Sequence, residues 1–389
     1  MDTKKKTLFG GNMRQNGMII ALLAVICFFG IATKGMIFRP LNISNIFMQN
    51  SYLIFLSLGM FFCVLTGNVD LSVGSVVGVS GALLGAMIVQ NHVPTWIAVT
   101  VTLVVGLLIG AFQGAFIAFL SIPPFIVTLA GMLMFRGLTQ YILQGQSLSP
   151  FTNSFQYFAS GFLFPQLKVG GLNVICLIVL AVASIAVILR EMSARKKRIS
   201  YGFEVPSMGV TAAKLAGIIF VMGFVLIMLA KYRGMPFVLV VLIIVTLIYN
   251  FIAQKTSVGR HVYAVGGNRL AAQMSGVKTK WVMFIVYVNC ALLATVAGIV
   301  VTGRLNVATA KAGNSYELDA IAACYIGGCA AAGGSGTIMG TIVGAAIMAI
   351  LNNGMSIMGI STDIQQVIKG LILLLAVTFD LTSKSKSKS

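Results

Sequence analysis

The sequence predicts an all-α polytopic membrane protein with about ten to twelve transmembrane helices, some of them broken or half-length. Of its 389 residues, 58% are hydrophobic and only 9% are charged, an apolar share that a soluble core of this size does not bury. Several apolar segments approach or reach the roughly 20 residues that a helix needs to span hydrocarbon. Their apolar character on all sides indicates helices, because a backbone in lipid must satisfy its hydrogen bonds within the segment.

The apolar segments follow one another from a basic start to a basic end. They are predicted at 17–38, 51–67, 71–90, 96–120, 124–144, 171–189, 213–231, 236–253, 281–302, 318–330, 335–358 and 363–380. The first lacks a small-residue cleavage site, which favours a retained span over a removed signal peptide. The segments 51–67 and 318–330 are short and each meets a break containing Gly or Asp, so we expect helices that stop inside the membrane.

Basic residues are concentrated in the connections on one predicted side of the membrane. The formal net charge of +19 would also suit a nucleic-acid-binding protein, but its placement in a few loops and tails does not. The positive-inside rule predicts a cytoplasmic tail at 1–16, cytoplasmic loops at 190–212 and 254–280, and a basic cytoplasmic tail at 381–389. The transmembrane domain is then 17–380, with both termini in the cytoplasm and no nucleic-acid partner.

Residues that carry catalysis, metal binding or nucleotide binding are scarce. The chain has 6 cysteines without a Cys-x-x-Cys spacing and only 2 histidines, so no metal site is expected. It contains no Gly-x-x-x-x-Gly-Lys-Ser/Thr phosphate loop, so the chain has no recognised means of holding ATP phosphates itself and no cofactor is expected. An enzyme is disfavoured, and an ion-coupled secondary transporter would need more ion ligands at membrane depth than Asp70 and Arg136 supply.

Four motifs, in the same order along the chain, closely resemble the permease subunits of ATP-binding-cassette (ABC) importers for ribose, xylose and galactosides. The motifs are Thr66-Gly-Asn-Val-Asp-Leu-Ser-Val-Gly-Ser75, Ser121-Ile-Pro-Pro-Phe-Ile-Val-Thr-Leu-Ala-Gly131, the Gly-Gly-Asn, Ala-Ala and Ser-Gly-Val pattern within Val258–Val277, and Leu318-Asp-Ala-Ile-Ala-Ala-Cys-Tyr-Ile-Gly-Gly328. The extra pair of spans at 171–189 and 213–231 is similar to the longer xylose-type and multiple-monosaccharide permeases.

The resemblance implies a vitamin B12-type (type II) ABC importer fold in the bacterial inner or cytoplasmic membrane. It implies import of a monosaccharide, xylose or a related pentose or hexose, while a nucleoside or other small-ligand permease of the same family stays open. The implied partners are a separate ATPase subunit that binds the ATP, an external or periplasmic sugar-binding protein, a second copy of this chain in a homodimer, and the lipid bilayer.

The resemblance also marks the polar segment 258–277 as the docking site of the ATPase. A short helix near 269–275, between glycine turns, would sit in a cleft of that subunit, and the small Ala271 and Ala272 would permit close approach. The alternative is an amphipathic helix that lies on lipid headgroups through its basic residues. The candidate coupling residues are His261, Tyr263, Gly266, Gly267, Asn268, Ala271, Ala272, Ser275 and Gly276.

Polar residues inside apolar spans are the candidates for the translocation path. A carboxylate at membrane depth is costly unless it is paired or wetted, so Asp70 either borders the path or caps the helix at 71–90. At the start of the 318–330 helix, Glu317 and Asp319 suit the helix dipole as caps, and the alternative places Glu317 near the mouth of the path. The partner of Arg136 is left open. Interhelical hydrogen bonding is the alternative for the amides. The candidates are Asn68, Asp70, Ser72, Gln113, Asn289, Glu317, Asn352 and Asn353.

A second group of basic residues falls in the connections on the predicted external side. Arg39, Arg233, Arg304 and Lys311 are candidates for pairing with acids of the external binding protein. Contact with lipid headgroups is the alternative for each of them.

Overall fold

The computed structural model of the protein describes residues 13–203 and 205–385. Nine helices in this part of the chain are long and apolar enough to cross a membrane. The strands found there form only a two-residue antiparallel pair, Lys168–Val169 (β1) with Leu172–Asn173 (β2). The all-α polytopic fold class is confirmed. Of the predicted tails at 1–16 and 381–389, residues 1–12 and 386–389 lie outside these ranges.

The helices occupy most of the described chain. Their bounds are Met13–Ala32 (α1), Pro40–Leu65 (α2), Val73–Leu84 (α3), Thr95–Ala118 (α4), Pro124–Leu143 (α5), Asn153–Ser160 (α6), Val174–Ser200 (α7), Met208–Lys231 (α8), Phe237–Lys255 (α9), Ser257–Gly267 (α10), Arg269–Met274 (α11), Thr279–Leu305 (α12), Tyr316–Ile326 (α13), Ile338–Ile357 (α14) and Thr362–Ser385 (α15). A single π-helical turn, Gly85–Gln90, continues α3.

The centre of the bundle is formed by α2, α3 and α12, which are buried along most of their length. Glycines at four-residue spacing bring α4 close to α12. A Cβ at Gly110 would come within 2.7 Å of the Val288 Cα, so this position requires glycine. Small residues at this spacing let helix backbones approach closely in lipid, and Gly106 and Gly110 do so against Thr295 and Val288 of α12.

Two of the predicted boundaries are wrong. The 51–67 span was expected to be a short helix, but α2 begins at Pro40. Its first turns contain polar residues such as Asn50, whose side chain donates to the Ile46 carbonyl at 3.0 Å and so stays inside the helix at little cost. The 190–212 loop is mostly helical, because α7 continues to Ser200 and α8 begins at Met208. Lys and Arg are good helix formers, so charge alone does not end a helix.

The connection between α12 and α13 lies beside the start of α3. After α12, the chain folds back along α3, so that Gly74 in the first turn of α3 lies directly against Gly313 and the Glu317 carboxylate. The 11-residue α13 therefore begins beside the first turn of α3, inside the bundle. The prediction of a short helix at 318–330 is confirmed. Non-helical backbone at this depth is surrounded by protein, which is the condition under which a membrane tolerates it.

Candidate translocation path and coupling surface

The connection between α2 and α3 carries three of the predicted path residues, and the structure brings them together. Asp70 is fully buried; its Oδ1 accepts hydrogen bonds from the amide of Ser72 at 2.8 Å and from the Ser72 hydroxyl at 2.6 Å. The Gln113 side chain of α4 donates to the same hydroxyl at 2.8 Å. Asn68, half-buried, donates to the Thr66 carbonyl. Asp70 thus organises the turn that precedes α3, the arrangement expected of a cap.

We expect Asp70→Asn to retain uptake at normal abundance, because an amide oxygen can still accept from the Ser72 backbone. Asp70→Leu should lower the free energy of unfolding by about 1–3 kcal/mol, because it leaves a buried donor without a partner. Membrane abundance and labelled-substrate uptake, measured together, separate the two effects. An Asp70→Asn protein that is abundant but inactive would show that the negative charge itself is required, against the capping role.

The start of α13 holds a buried ion pair. Lys369 of α15 donates to Asp319 Oδ2 at 3.0 Å, and only 2% of the Asp319 side chain is exposed. The same oxygen receives the Tyr52 hydroxyl of α2 at 3.4 Å and the Asn352 amide of α14 at 3.5 Å. Asp319 lies in the first turn of α13, as predicted, but that helix has no side-chain cap hydrogen bond, and the Asp319 contacts join four helices instead. Asp319 Oδ1 and Asn352 Oδ1 are buried without a hydrogen-bond partner.

Lys369 and Tyr52 were missed by the sequence analysis. A lone Lys within the apolar 363–380 span was a usable signal, because an intramembrane cation needs a partner, and Asp319 was one of few acids available. Tyr52 also stacks on Tyr316 of α13, with ring centroids 4.0 Å apart. This second contact ties the start of α13 to α2.

The partner of Arg136, which the sequence left undetermined, is at the start of α13. Its guanidinium lies 3.9 Å from Glu317 Oε1 and donates to Asn314 Oδ1 at 2.6 Å. The Arg136 side chain is 34% exposed, whereas that of Glu317 is 9% exposed. Glu317 Oε2 is buried without a hydrogen-bond partner. The structure therefore places a charged, partly open group where α5 meets α13.

The remaining predicted path amides make interhelical hydrogen bonds. Asn353 and Asn42 exchange two amide hydrogen bonds, at 2.8 and 3.1 Å, that join α14 to α2. The Tyr249 hydroxyl of α9 donates to Asn289 Oδ1 of α12. These contacts agree with interhelical hydrogen bonding, the alternative to a role in the path.

The segment predicted to dock the ATPase forms α10 and α11, joined by Asn268. In α10, Gly266 lies against the Leu65 carbonyl at the end of α2, where any Cβ would collide. The Tyr263 hydroxyl donates to the Gly336 carbonyl at 2.8 Å. Burial, with a smaller contribution from Cys329, raises the pKa of Tyr263 to about 12, so the phenol stays protonated as a donor. Both residues anchor α10 to the bundle.

The outer surface of this segment is on α11. The Asn268 side chain caps α11 by accepting from the Ala271 amide at 3.0 Å, and the chain leaves it at Gly276 with φ +85. Ala271 is exposed, but Ala272 is 5% exposed and packs into the chain's own bundle. Ala272 therefore cannot face a partner. His261, Gly267 and Ser275 are exposed, as are two apolar side chains that the sequence analysis did not select, Leu270 and Met274.

The predicted docking cations are not equally accessible. Arg39 and Lys311 are exposed. Arg233 is also exposed, and it lies over the rings of Phe162 and Tyr232, 6.0 and 5.7 Å from their centroids. Arg304 is half-buried at the end of α12 and is therefore less accessible than the other three.

A family model and several known proteins match nearly the whole length of the chain. The family model described as branched-chain amino acid transport system / permease component matches residues 42–198 and 197–377. The xylose transport system permease protein of Haemophilus influenzae is 36% identical over 375 residues, covering 96% of this chain and 98% of that protein. Its counterpart from Escherichia coli K12 is 37% identical over 377 residues, covering 97% and 94%. The ribose import permease protein of Bacillus subtilis is 33% identical over 377 residues, covering 97% and 96%. No solved structure matches the chain significantly.

Proposed function

The chain belongs to the family of permease components of branched-chain amino acid transport systems, and on that premise we propose that it is the membrane subunit of a binding-protein-dependent ABC importer for a monosaccharide. Xylose or a related pentose or hexose is the proposed cargo, because xylose and ribose permeases align with nearly the whole chain. The alternative cargo is a nucleoside or another small ligand of the family. The ATP is bound by a separate ATPase subunit, and this chain performs no covalent chemistry.

The observation that carries the proposal is the polar face where α5 meets α13. Arg136 lies 12 residues after the start of α5, about 18 Å along the helix at 1.5 Å per residue. This depth is near the middle of a hydrocarbon core of roughly 30 Å. Arg136 is partly open, and its partner Asn314 is exposed. Charged side chains at this depth face a water-filled cavity or another protein, so this face is suited to a path between two copies of the chain.

The packing of α10 supports a route from the ATPase to this path. We assign the exposed surface of α11 to the ATPase contact. Any displacement of α11 is passed to α10, which is held to the end of α2 by Gly266 and to the 327–337 connection by Tyr263. The Gly334 amide also donates to the Leu65 carbonyl at 2.8 Å. These contacts join the connection that precedes α3 to the connection that follows α13. Motion at α11 would therefore reach α13, which carries one side of the polar face.

The proposed ATPase contact also sets the orientation of the chain in the membrane and the side on which a sugar-binding protein would dock. With α10 and α11 facing an ATPase, that end of the bundle and both termini are cytoplasmic. The exposed Arg39, Arg233 and Lys311 then lie on the external side, where they are placed to meet acids of a sugar-binding protein. Affinity for the sugar resides in that protein, so the path itself needs only weak hydrogen-bonding groups.

Uptake of a labelled monosaccharide panel tests the proposal. We compare source cells with and without the gene, and complement with the wild type or with Ala271→Arg. Loss of one or a few sugars, restored by the wild type and not by the variant, would support it. Unchanged uptake of every sugar would contradict it and favour another ligand of the family. Collapse of the proton gradient with ATP intact should leave uptake running, whereas an ion-coupled carrier would stop.

A further inference from the structure

A pocket lies at the α7–α8 turn, on the same side of the bundle as α10 and α11, and the proposed function makes no use of it. It encloses about 130 Å³ between the end of α7 and the first turns of α8. Arg195, Arg198 and Lys214 line it together with the Glu191 carboxylate and Thr211. Among the described residues, the lining therefore carries an excess of positive charge.

The pocket is held in shape by contacts across the hairpin. The Arg195 guanidinium of α7 donates to the Pro206 carbonyl and, at 3.0 Å, to the Thr211 hydroxyl of α8. Lys214 pairs with Glu191 at 2.8 Å. Within the ranges described, the Arg198 side chain makes no ion pair or hydrogen bond, and it is exposed. One fixed guanidinium and one unengaged guanidinium thus converge beside the N-terminal turn of α8, where the helix dipole favours a negative group.

The surroundings of the hairpin specify where this pocket lies in a membrane. The 27 residues of α7 extend about 40 Å, roughly 10 Å more than the hydrocarbon core. The apolar side chains of Val182, Ile185 and Leu189 are exposed, so the helix is bordered by acyl chains up to the turn that precedes Arg195. The pocket consequently opens at the level of the lipid headgroups.

We propose that this pocket binds the phosphate of an anionic phospholipid headgroup. Guanidinium groups bind phosphate oxygens bidentately, and basic pockets between transmembrane helices on the cytoplasmic side accept such headgroups. A lipid is favoured over a free phosphate because the exposed apolar side chains of α7 lead directly from the pocket and can pack against the acyl chains. The bound lipid joins α7 to α8 at the end of the hairpin opposite Cys176, Leu226 and Leu229, which pack it against the bundle.

Native mass spectrometry of the full-length protein, released from bilayers that contain phosphatidylglycerol and phosphatidylcholine, tests the proposal. The wild type should retain phosphatidylglycerol. Arg198→Gln with Lys214→Gln should weaken retention about tenfold or more, because charged hydrogen bonds to the phosphate are lost. The matched control is Lys196→Gln with Lys197→Gln, which removes the same charge from neighbouring exposed positions outside the pocket and should retain the lipid.

Several outcomes would overturn the proposal. Equal loss in the two double variants would mean diffuse attraction to anionic lipid rather than a site. Displacement of the lipid by inorganic phosphate would indicate a soluble anion as the ligand. Unchanged lipid retention with weaker binding of the ATPase subunit would assign the pocket to an acidic protein surface. Arg198→Gln alone, which breaks no ion pair in the described structure, gives the same test if the double variant does not fold.

Discussion

Replacing Lys369 with Met should strongly destabilise the protein, because it leaves the buried Asp319 carboxylate without its cation. The two groups are 3.0 Å apart, and the Asp319 side chain is 2% exposed. Removal of one partner from a buried pair costs about 3–5 kcal/mol, since the remaining charge is uncompensated. We expect a lower midpoint of thermal unfolding in detergent and a lower abundance in the membrane.

The double variant Asp319→Asn, Lys369→Met separates charge from packing. It removes both charges, keeps polar atoms near Tyr52 and Asn352, and should recover most of the lost stability. Lys311→Met is the matched control, because Lys311 is exposed and its loss should change the unfolding midpoint little. A Lys369→Met protein as stable as the wild type would show that Asp319 is neutral or paired elsewhere.

Leu270→Arg should abolish ATP-driven uptake while membrane abundance stays normal. Leu270 is 69% exposed on α11, so the folded chain should tolerate arginine. In a cleft of the ATPase subunit, the new charge would be desolvated without a partner. The loss of an anchoring side chain at an interface costs about 2 kcal/mol or more, roughly thirtyfold in affinity.

Co-purification of the ATPase subunit and uptake should be measured for Leu270→Arg and for a matched control, Tyr201→Arg. Tyr201 is 77% exposed at the end of α7, on the same side of the bundle but outside α11. Normal ATPase binding and uptake by Leu270→Arg would contradict the assignment of α11. Ala272 is unsuitable for this test, because arginine at that buried position would also disturb the fold.

Features that are local in sequence were predicted well. The length of the apolar segments predicted the membrane-spanning helices. The glycines in the motifs predicted that helices stop near α3 and α13. The start of α2 was missed because polar residues such as Asn50 interrupt the apolar run before residue 51, although the Asn50 side chain bonds back to the same helix. Hydropathy measures transfer to lipid, and it overestimates the cost of polar groups that a helix satisfies internally.

Features that depend on distant residues were only partly predictable. Asp319 and Lys369 are 50 positions apart, and nothing in the spacing of their separate helices indicates that they meet. The alanine pair at 271–272 was recognised as part of a motif, but which alanine faces outward depends on how α11 packs on α12. The partner of Arg136 likewise required the fold of the chain between α12 and α13.

The most direct test of the path along α5 and α13 is the water accessibility of Asn314→Cys in intact membranes. Asn314 is exposed next to Arg136, whereas the control Leu247→Cys is at an exposed apolar position of α9, which we expect to face lipid. Both are made in a Cys27→Ser background, because Cys27 is exposed and the other cysteines are buried. A membrane-impermeant thiol reagent should label Asn314→Cys about tenfold faster or more, since the thiolate that reacts forms in water. Equal protection of the two cysteines would contradict a water-filled path on this face.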